Sequence, residues 1–197
     1  MKIPDKKGRV TLITGPMFAG KTTEMIKLTR RHQFGASART IHYIKHSFET
    51  RCPKGLLRSH DDLEVDGMAC DSLIEYATHR IEEDTEPGVV GIDEGQFFPD
   101  LVKGCDLLVS SGYHVYVAAL SGTFAQKPWD NVAELSPKAD HVVYLVAVCY
   151  ECGKDAPFSY LCNREGVTGD VMIGGAEKYH SLCRDCLGAQ KDATLPI

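Results

Sequence analysis

Gly15-Pro16-Met17-Phe18-Ala19-Gly20-Lys21-Thr22 decides how the rest of the chain is read. These eight residues fit the pattern G-x-x-x-x-G-K-[ST] completely. Residues 9–14 (RVTLIT) just before them are a short β-prone run. Residues 22–33 (TTEMIKLTRRHQ) just after them predict a helix, with Met25, Ile26 and Leu28 on or near one face and Gly35 as a natural stop. Strand, glycine loop, helix is the order that phosphate binding requires. Glycines let backbone N–H groups wrap inward around phosphates. Lys21 supplies a point charge to the β and γ phosphates, and Thr22 offers a hydroxyl to Mg²⁺. The helix N-terminus adds its partial positive charge. A chance glycine turn is the competing explanation, and the flanking strand and helix weigh against it.

Outward from the loop, strands and helices alternate. Residues 40–45 (TIHYIK) predict a strand, 46–68 a loop without period, and 71–80 a short helix. Residues 88–92 (GVVGI) predict a buried strand. Pro99 opens a helix that Gly112 closes, with Leu101, Cys105, Leu108 and Val109 facing inward. Residues 113–119 and 141–148 predict two more strands. The strands are apolar throughout, as strands covered on both faces should be. The expected fold is therefore α/β: a P-loop, RecA-like, mostly parallel sheet with helices on both faces. After residue 148 cysteines, glycines and short β-prone pieces dominate, with no long helix in view. The expected division is an ATP-binding domain at 1–148 and a small second domain at 149–197.

Val89-Val90-Gly91-Ile92-Asp93-Glu94 ends the buried strand on two acids. Acids at the carboxyl end of a parallel strand lie where the phosphates of such a sheet lie. Asp93 suits Mg²⁺, and Glu94 suits the proton of an attacking group, whether from water or from a substrate hydroxyl. Cys149-x-x-Cys152 and Cys183-x-x-Cys186 read as two metal knuckles that complete one tetrahedron around structural Zn²⁺. Thirty residues separate the pairs, against the more usual fifteen to twenty. Cys162 and His180 lie near enough in sequence to substitute for a ligand, and a set of buried free thiols is the plain alternative. Arg51, in the loop after the second strand, could reach a phosphate, although on residues alone it is an ordinary surface arginine. Gly174-Gly175 permits either a simple turn or close approach of backbone to a ligand.

The chain has 197 residues, enough for one domain with a small appendage. A net charge of −5 gives no global positive field to hold nucleic acid. Lys27, Arg30, Arg31 and Arg39 read as a solvated helix face. The charged N-terminus lacks an apolar stretch fit for secretion, and no apolar run is long enough to span a bilayer. Cys52, Cys70 and Cys105 are scattered singly while the other five cysteines crowd into 149–186, which suits metal in a reducing compartment. No nucleic acid and no membrane are expected as partners, and a cytoplasmic location is the default.

Several strings together resemble one family: GPMFAGKT at 15–22, GIDEGQFFPD at 91–100, AALSGTF at 118–124, AVCYEC at 147–152 and IGGAEKYHSLCRDC at 173–186. In order and spacing they are similar to the type II thymidine kinases, the family that includes the human cytosolic enzyme, over nearly the whole chain. The resemblance implies ATP-dependent phosphorylation of the thymidine 5′-hydroxyl, with Glu94 as base and Thr22 and Asp93 serving magnesium. ATP contacts are implied for residues 15–22, Asp93 and Gln96, and for Glu49, Thr50 and Arg51, where the family reads Asp-Thr-Arg. A lasso-like loop over the nucleoside maps onto residues 163–179, with contacts at Asp170, Val171, Met172, Ile173, Gly174 and Tyr179. The family commonly has an apolar residue where this chain has Asp170. Phe97 and Phe124 would pack around base and sugar, and Met17 and Leu120 would shape the pocket for the thymine methyl. The resemblance also implies a homo-tetramer and puts dTTP forward as a feedback inhibitor. Some members carry a long regulatory tail; this chain ends at Ile197, soon after Cys186, so none is expected here.

Three rivals share parts of this pattern. A P-loop ATPase would use Glu94 to activate water. A nucleoside monophosphate kinase with a zinc lid would offer several arginines there, and 149–186 holds only Arg164 and Arg184. A zinc ribbon for nucleic acid should be basic, yet Lys154, Arg164, Lys178 and Arg184 are outnumbered by Glu151, Asp155, Glu165, Asp170, Glu177 and Asp185. A GTPase would need an Asn-Lys-x-Asp string, which residues 136–140 match poorly.

Overall fold

The computed structural model describes residues 7–48, 55–58, 63–163, 169–172 and 174–192. In chain order, β1 (Arg9–Gly15) leads through the glycine loop into α1 (Lys21–Arg30), which tightens into one 3₁₀ turn at Arg31–Gln33. Then come β2 (Ile41–His46), β3 (Leu56–Arg58), β4 (Glu64–Asp66), β5 (Met68–Cys70) and α2 (Leu73–Glu83). β6 (Val89–Asp93), α3 (Leu101–Ser110), β7 (His114–Leu120), α4 (Asp130–Leu135) and β8 (His141–Tyr144) complete the larger layer. β9 (Ala147–Val148), β10 (Asp155–Ala156), β11 (Phe158–Leu161), β12 (Tyr179–Leu182) and α5 (Arg184–Asp192) make the C-terminal part.

Six strands form one sheet in the order β5-β2-β6-β7-β1-β8, and every pair is parallel. The strand bearing the glycine loop and the strand ending on Asp93 are thus separated by β7. Helix α1 crosses that gap on one face, where Met25 and Ile26 bury completely against Ile13, Tyr43 and Ala118. Burying such a side chain contributes roughly 1.5–3 kcal/mol, which holds the loop's helix onto the sheet. On the other face, α2, α3 and α4 pack Leu73, Leu101, Cys105, Leu108 and Leu135 against Val90, Ile92, Val115 and Val117. The α/β sheet with helices on both faces stands as expected.

Several local expectations change. The stretch 46–68, expected as a loop, contains an antiparallel hairpin, β3 with β4, pairing Leu57 with Val65. Short β5 follows, and α2 begins two residues later and ends three residues later than expected. Its start is set by Ser72, whose side chain accepts the Glu75 N–H at 3.2 Å, while the Asp100 carboxylate accepts from Leu73 and Ile74 N–H. The strand expected over 141–148 divides. β8 lies at the sheet edge with Val142 and Tyr144 about half exposed, and β9 turns away to pair with β10. Apolar content alone did not mean burial on both faces there. Two helices were not anticipated: α4, too short to display a period, and α5, whose ligand-type Cys186 and Gly188 masked a helical stretch. Within α5, Leu187 buries against Ala147, Cys149 and Leu182.

Candidate active site

The glycine loop meets the requirements of a phosphate cradle. A Cβ on Gly15 would lie 2.3 Å from the Leu145 carbonyl oxygen, so no side chain fits there. Gly20 has φ 77° and opens α1 without a side-chain cap, which leaves first-turn N–H groups for an anion. Lys21 folds back so that Nζ donates to the Pro16 carbonyl at 2.6 Å, holding the ammonium at the loop's centre. The Thr22 hydroxyl donates to Asp93 Oδ1 at 2.9 Å, joining α1 to the end of β6. Asp93 is 5% exposed. One expectation about the loop needs correction. The Met17 N–H does not join an inward-facing set; it donates to Ser159 Oγ at 2.9 Å, and Ser181 Oγ donates to the Met17 carbonyl at 3.0 Å. Ser159 and Ser181 face each other across the β11–β12 ladder, so the C-terminal hairpin grips one loop residue by its N–H and its carbonyl.

Glu94 follows β6 in the left-handed region, φ 52° and ψ 43°, and a 3₁₀ turn at Gly95–Phe97 follows it. Gln96, 4% exposed, uses both ends of its amide. Its Oε1 accepts the Leu120 N–H at 3.0 Å and its Nε2 donates to Glu94 Oε2. The carboxylate is thereby referenced to β7.

One cleft of about 310 Å³ unites these groups with an aromatic pocket. Its loop end is lined by Met17, Phe18, Gly20, Lys21 and Thr22, its middle by Asp93, Glu94 and Gln96, and its far end by Phe97, Leu120, Phe124 and Tyr179. Asp170, Val171, Met172 and Gly174 form a wall. Gly15, Pro16 and Ala19 complete the loop behind the lining, and Ala19 packs on the core of the C-terminal part. Glu49, Thr50, Arg51 and Ile173 lie outside the described residues, as do Gly166 and the rest of 164–168.

The segment expected as a lasso is the connection of the β11–β12 hairpin. Its neck is closed by the Cys162 N–H donating to the Lys178 carbonyl at 2.8 Å. The Tyr179 hydroxyl donates back to the Met172 carbonyl. Burial pushes the Tyr179 phenol above its usual pKa, so it stays protonated and able to donate. Asp170 is engaged by Lys127 Nζ at 2.6 Å, which fastens this segment to the loop after β7. Trp129 also lines the cleft and packs edge-on to Phe97 with ring centres 5.9 Å apart. Ser159, Ser181, Lys127 and Trp129 were not singled out in the sequence; no spacing rule marks residues that meet only through the fold.

Cys149, Cys152, Cys183 and Cys186 come together with all four sulfurs within 4.8 Å of one another. Cys152 Sγ and Cys183 Sγ are 3.6 Å apart. A tetrahedral zinc site with bonds near 2.3 Å requires sulfur separations of about 3.8 Å, so the residues fit that metal. Burial opposes ionisation of Cys149, but N–H groups of Cys183, Cys152 and Glu151 outweigh it and bring that thiol down to about 6. Cys186, hydrogen-bonded to Cys183 and then Cys152, is pushed up to about 12. Four adjacent thiolates need a cation to coexist. Cys162 and His180 are not in the cluster; His180 stacks on Tyr150 at 3.6 Å.

Two of the basic residues on and after α1 have partners: Lys27 pairs with Glu24 at 2.9 Å, and Arg39 donates to the Gly112 carbonyl at 3.2 Å. Among the described residues no helix is long and apolar enough to cross a membrane.

Comparison with known proteins places this geometry. The chain matches the profile of the family described as "TK: Thymidine kinase" over residues 8–187. It is 42% identical over 181 residues to the thymidine kinase of myxoma virus (strain Lausanne), covering 91% of this chain and 96% of that one. The thymidine kinase of Yaba monkey tumor virus (strain VR587) is 42% identical over 181 residues, with coverage of 92% and 95%. That of variola virus (isolate Human/India/Ind3/1967) is 42% identical over 179 residues, with coverage of 91% and 96%. With its profile matched from the first strand to the last cysteine, and relatives that align over nearly their full length, this chain belongs to the thymidine kinase family.

Proposed function

We propose that the chain transfers the γ-phosphoryl group of MgATP to the 5′-hydroxyl of thymidine, giving dTMP and ADP. The observation that carries this is the single cleft in which Lys21, Thr22 and Glu94 share a wall with Phe97, Phe124 and Tyr179. A hydrolase that activates water has no use for an aromatic pocket beside its base, and the name carried by the relatives agrees with a nucleoside acceptor.

In this reading the loop of residues 15–22 cradles the phosphates, and Lys21 sets its charge against the β and γ oxygens. Thr22 and Asp93 would hold the magnesium ion that accompanies ATP and offsets its charge. Gln96 keeps the Glu94 carboxylate aligned. The thymidine 5′-oxygen forms its bond to the γ-phosphorus while its proton passes to Glu94. The bond from that phosphorus to the β,γ-bridging oxygen breaks, and its electron pair leaves with ADP. Such transfers rest on positioning and charge. Phe97 and Phe124 would flank base and sugar, and Met17 and Leu120 would meet the thymine methyl. Backbone from Asp170 to Gly174, with Tyr179, would read the pyrimidine edge and exclude water. Glu49, Thr50 and Arg51 would add phosphate contacts.

Residues 1–148 serve as the nucleotide-binding domain in this account, and 149–197 as a zinc-bearing domain that carries the lasso. The zinc is structural, because four thiolates leave no open position. A homo-tetramer is supported by exposed apolar side chains at and just after β8, which is an edge strand among the described residues: Val142 and Tyr144 on the strand, and Val146, Val148 and Tyr150 in the segment that follows it, a surface suited to a second copy. A cytoplasmic location suits a cluster that needs reduced cysteines, and dTTP would compete as an inhibitor through the same cleft.

Glu94→Gln tests the assignment. It should lower kcat by ~10²–10⁴-fold while ATP affinity, read by calorimetry, stays within about twofold. A variant with the parent kcat would remove Glu94 from its role.

A further inference from the structure

Glu94 occupies backbone that a residue with a Cβ does not favour, φ 52° and ψ 43°. Something must hold it there. Local bonds do part of this: the Phe97 N–H donates to the Glu94 carbonyl at 3.0 Å, and the Phe98 N–H donates to the Gly95 carbonyl at 3.1 Å. The rest comes from Asn131, the second residue of α4. Its Nδ2 donates to the carbonyl oxygens of Phe98 at 2.8 Å and Gln96 at 3.1 Å, with that of Gly95 at 3.4 Å. Its Oδ1 accepts the Val132 N–H at 2.9 Å. One side-chain amide therefore gathers three carbonyls of the turn behind Glu94 and ties them to the start of a helix. A neutral amide does both tasks with two N–H donors and a separate acceptor, whereas a carboxylate has no N–H to give and an ammonium has no acceptor.

We propose that Asn131 is a positioning residue for phosphoryl transfer. By clamping the carbonyls of residues 95, 96 and 98, it fixes the left-handed turn that aims the Glu94 carboxylate into the cleft. It also keeps the Gln96 amide seated between Leu120 and Glu94. Asn131 does not line the cleft, so it acts through Glu94 and not on either substrate. The inference rests on the reading of Glu94 as base. Displacement of a catalytic group by about 1 Å costs on the order of 10²-fold, and partial loosening of the turn should cost about tenfold.

The test is a double-mutant cycle on the zinc-loaded full chain, with rates normalised to the folded fraction at the assay temperature. Asn131→Ala should lower kcat by about tenfold and leave KM for ATP and for thymidine within about twofold. Asn131→Asp keeps the shape but faces three carbonyls with an acceptor, so it should lose at least as much. It carries the comparison should the alanine variant unfold. In the Glu94→Gln background, Asn131→Ala should cost less than about twofold, because no base remains to be misplaced. Equal losses in both backgrounds would make Asn131 a general structural residue and overturn the proposal. So would a parent-like kcat for both Asn131 variants beside an impaired Glu94→Gln, an outcome that leaves the base assignment standing. If Glu94→Gln itself keeps the parent kcat, the base assignment falls and this inference falls with it.

Discussion

Replacing Ser181 by alanine should show how strongly the C-terminal hairpin governs the phosphate loop. Ser181 is 4% exposed and Ser159 7% exposed; Ser159 accepts from the Met17 N–H and Ser181 donates to the Met17 carbonyl. The Ser181→Ala change removes one oxygen and leaves the Met17 carbonyl without that donor. An abandoned buried acceptor costs about 1–3 kcal/mol, with little added from volume. For a chain of this length each kcal/mol shifts Tm by roughly 2–4 °C, so a central loss of about 2 kcal/mol corresponds to roughly 4–8 °C. Ser159→Ala orphans the Met17 N–H and should cost a similar amount. Because both bonds hold the same residue through its two flanking peptide groups, the double variant should lose less than the sum, with a coupling of about 0.5–3 kcal/mol. The assays are thermal unfolding of the zinc-loaded protein by circular dichroism, and KM for ATP, which should rise as the loop loosens. A Tm and KM unchanged by either single substitution would refute the clasp, and strictly additive losses would refute its joint hold on Met17.

Two further outcomes follow from other parts of the fold. Freshly purified protein should contain one zinc per chain by elemental analysis, and Cys183→Ser or chelation should lower Tm and activity together, since metal binding of this kind is folding free energy, ~10–16 kcal/mol in isolated fingers; protein that is active and stable without zinc would contradict this. Burial alone would raise the pKa of Asp100, but hydrogen bonds from the Ile74 N–H, the Ser72 hydroxyl and the Leu73 N–H outweigh it and hold the carboxyl below its ordinary value. A folded-state pKa below the unfolded value of about 3.9 means stability that is present above that pH and lost as pH falls through the lowered value. Asp100→Asn should therefore lower Tm at pH 7 and flatten the decline of Tm below about pH 4; parallel Tm–pH curves for parent and variant would count against it.

The parts of the site that were legible in sequence are contiguous. Residues 15–22 lie on one turn of chain, Asp93 and Glu94 end one strand, and each cysteine pair spans four residues. Local geometry alone makes their chemistry possible. The sheet was legible because its central strands are apolar without interruption and alternate with amphipathic helices. What was not legible depends on chain segments far apart. Ser159 reads as one more polar residue on a β-prone stretch, and only the register of β11 and β12 places it opposite Ser181 and over Met17. Asn131 sits in a helix of six residues, too short for a period, 36 residues from one carbonyl it holds. The left-handed backbone of Glu94 could not be foreseen, since glutamate has no preference for it. At β8 the reverse occurred: Val142 and Tyr144 look like core residues in sequence, yet they face outward at the sheet edge, because composition does not say which side of a strand is covered.

The most direct measurement is the fate of label from γ-labelled ATP incubated with the purified chain, magnesium and, in turn, thymidine, each other nucleoside, each nucleoside monophosphate, and water alone. Label should appear in dTMP when thymidine is present, with little inorganic phosphate released when no nucleoside is added. Label released as phosphate at the same rate with and without thymidine, or transferred to a nucleoside monophosphate but not to thymidine, would contradict a thymidine acceptor in this cleft.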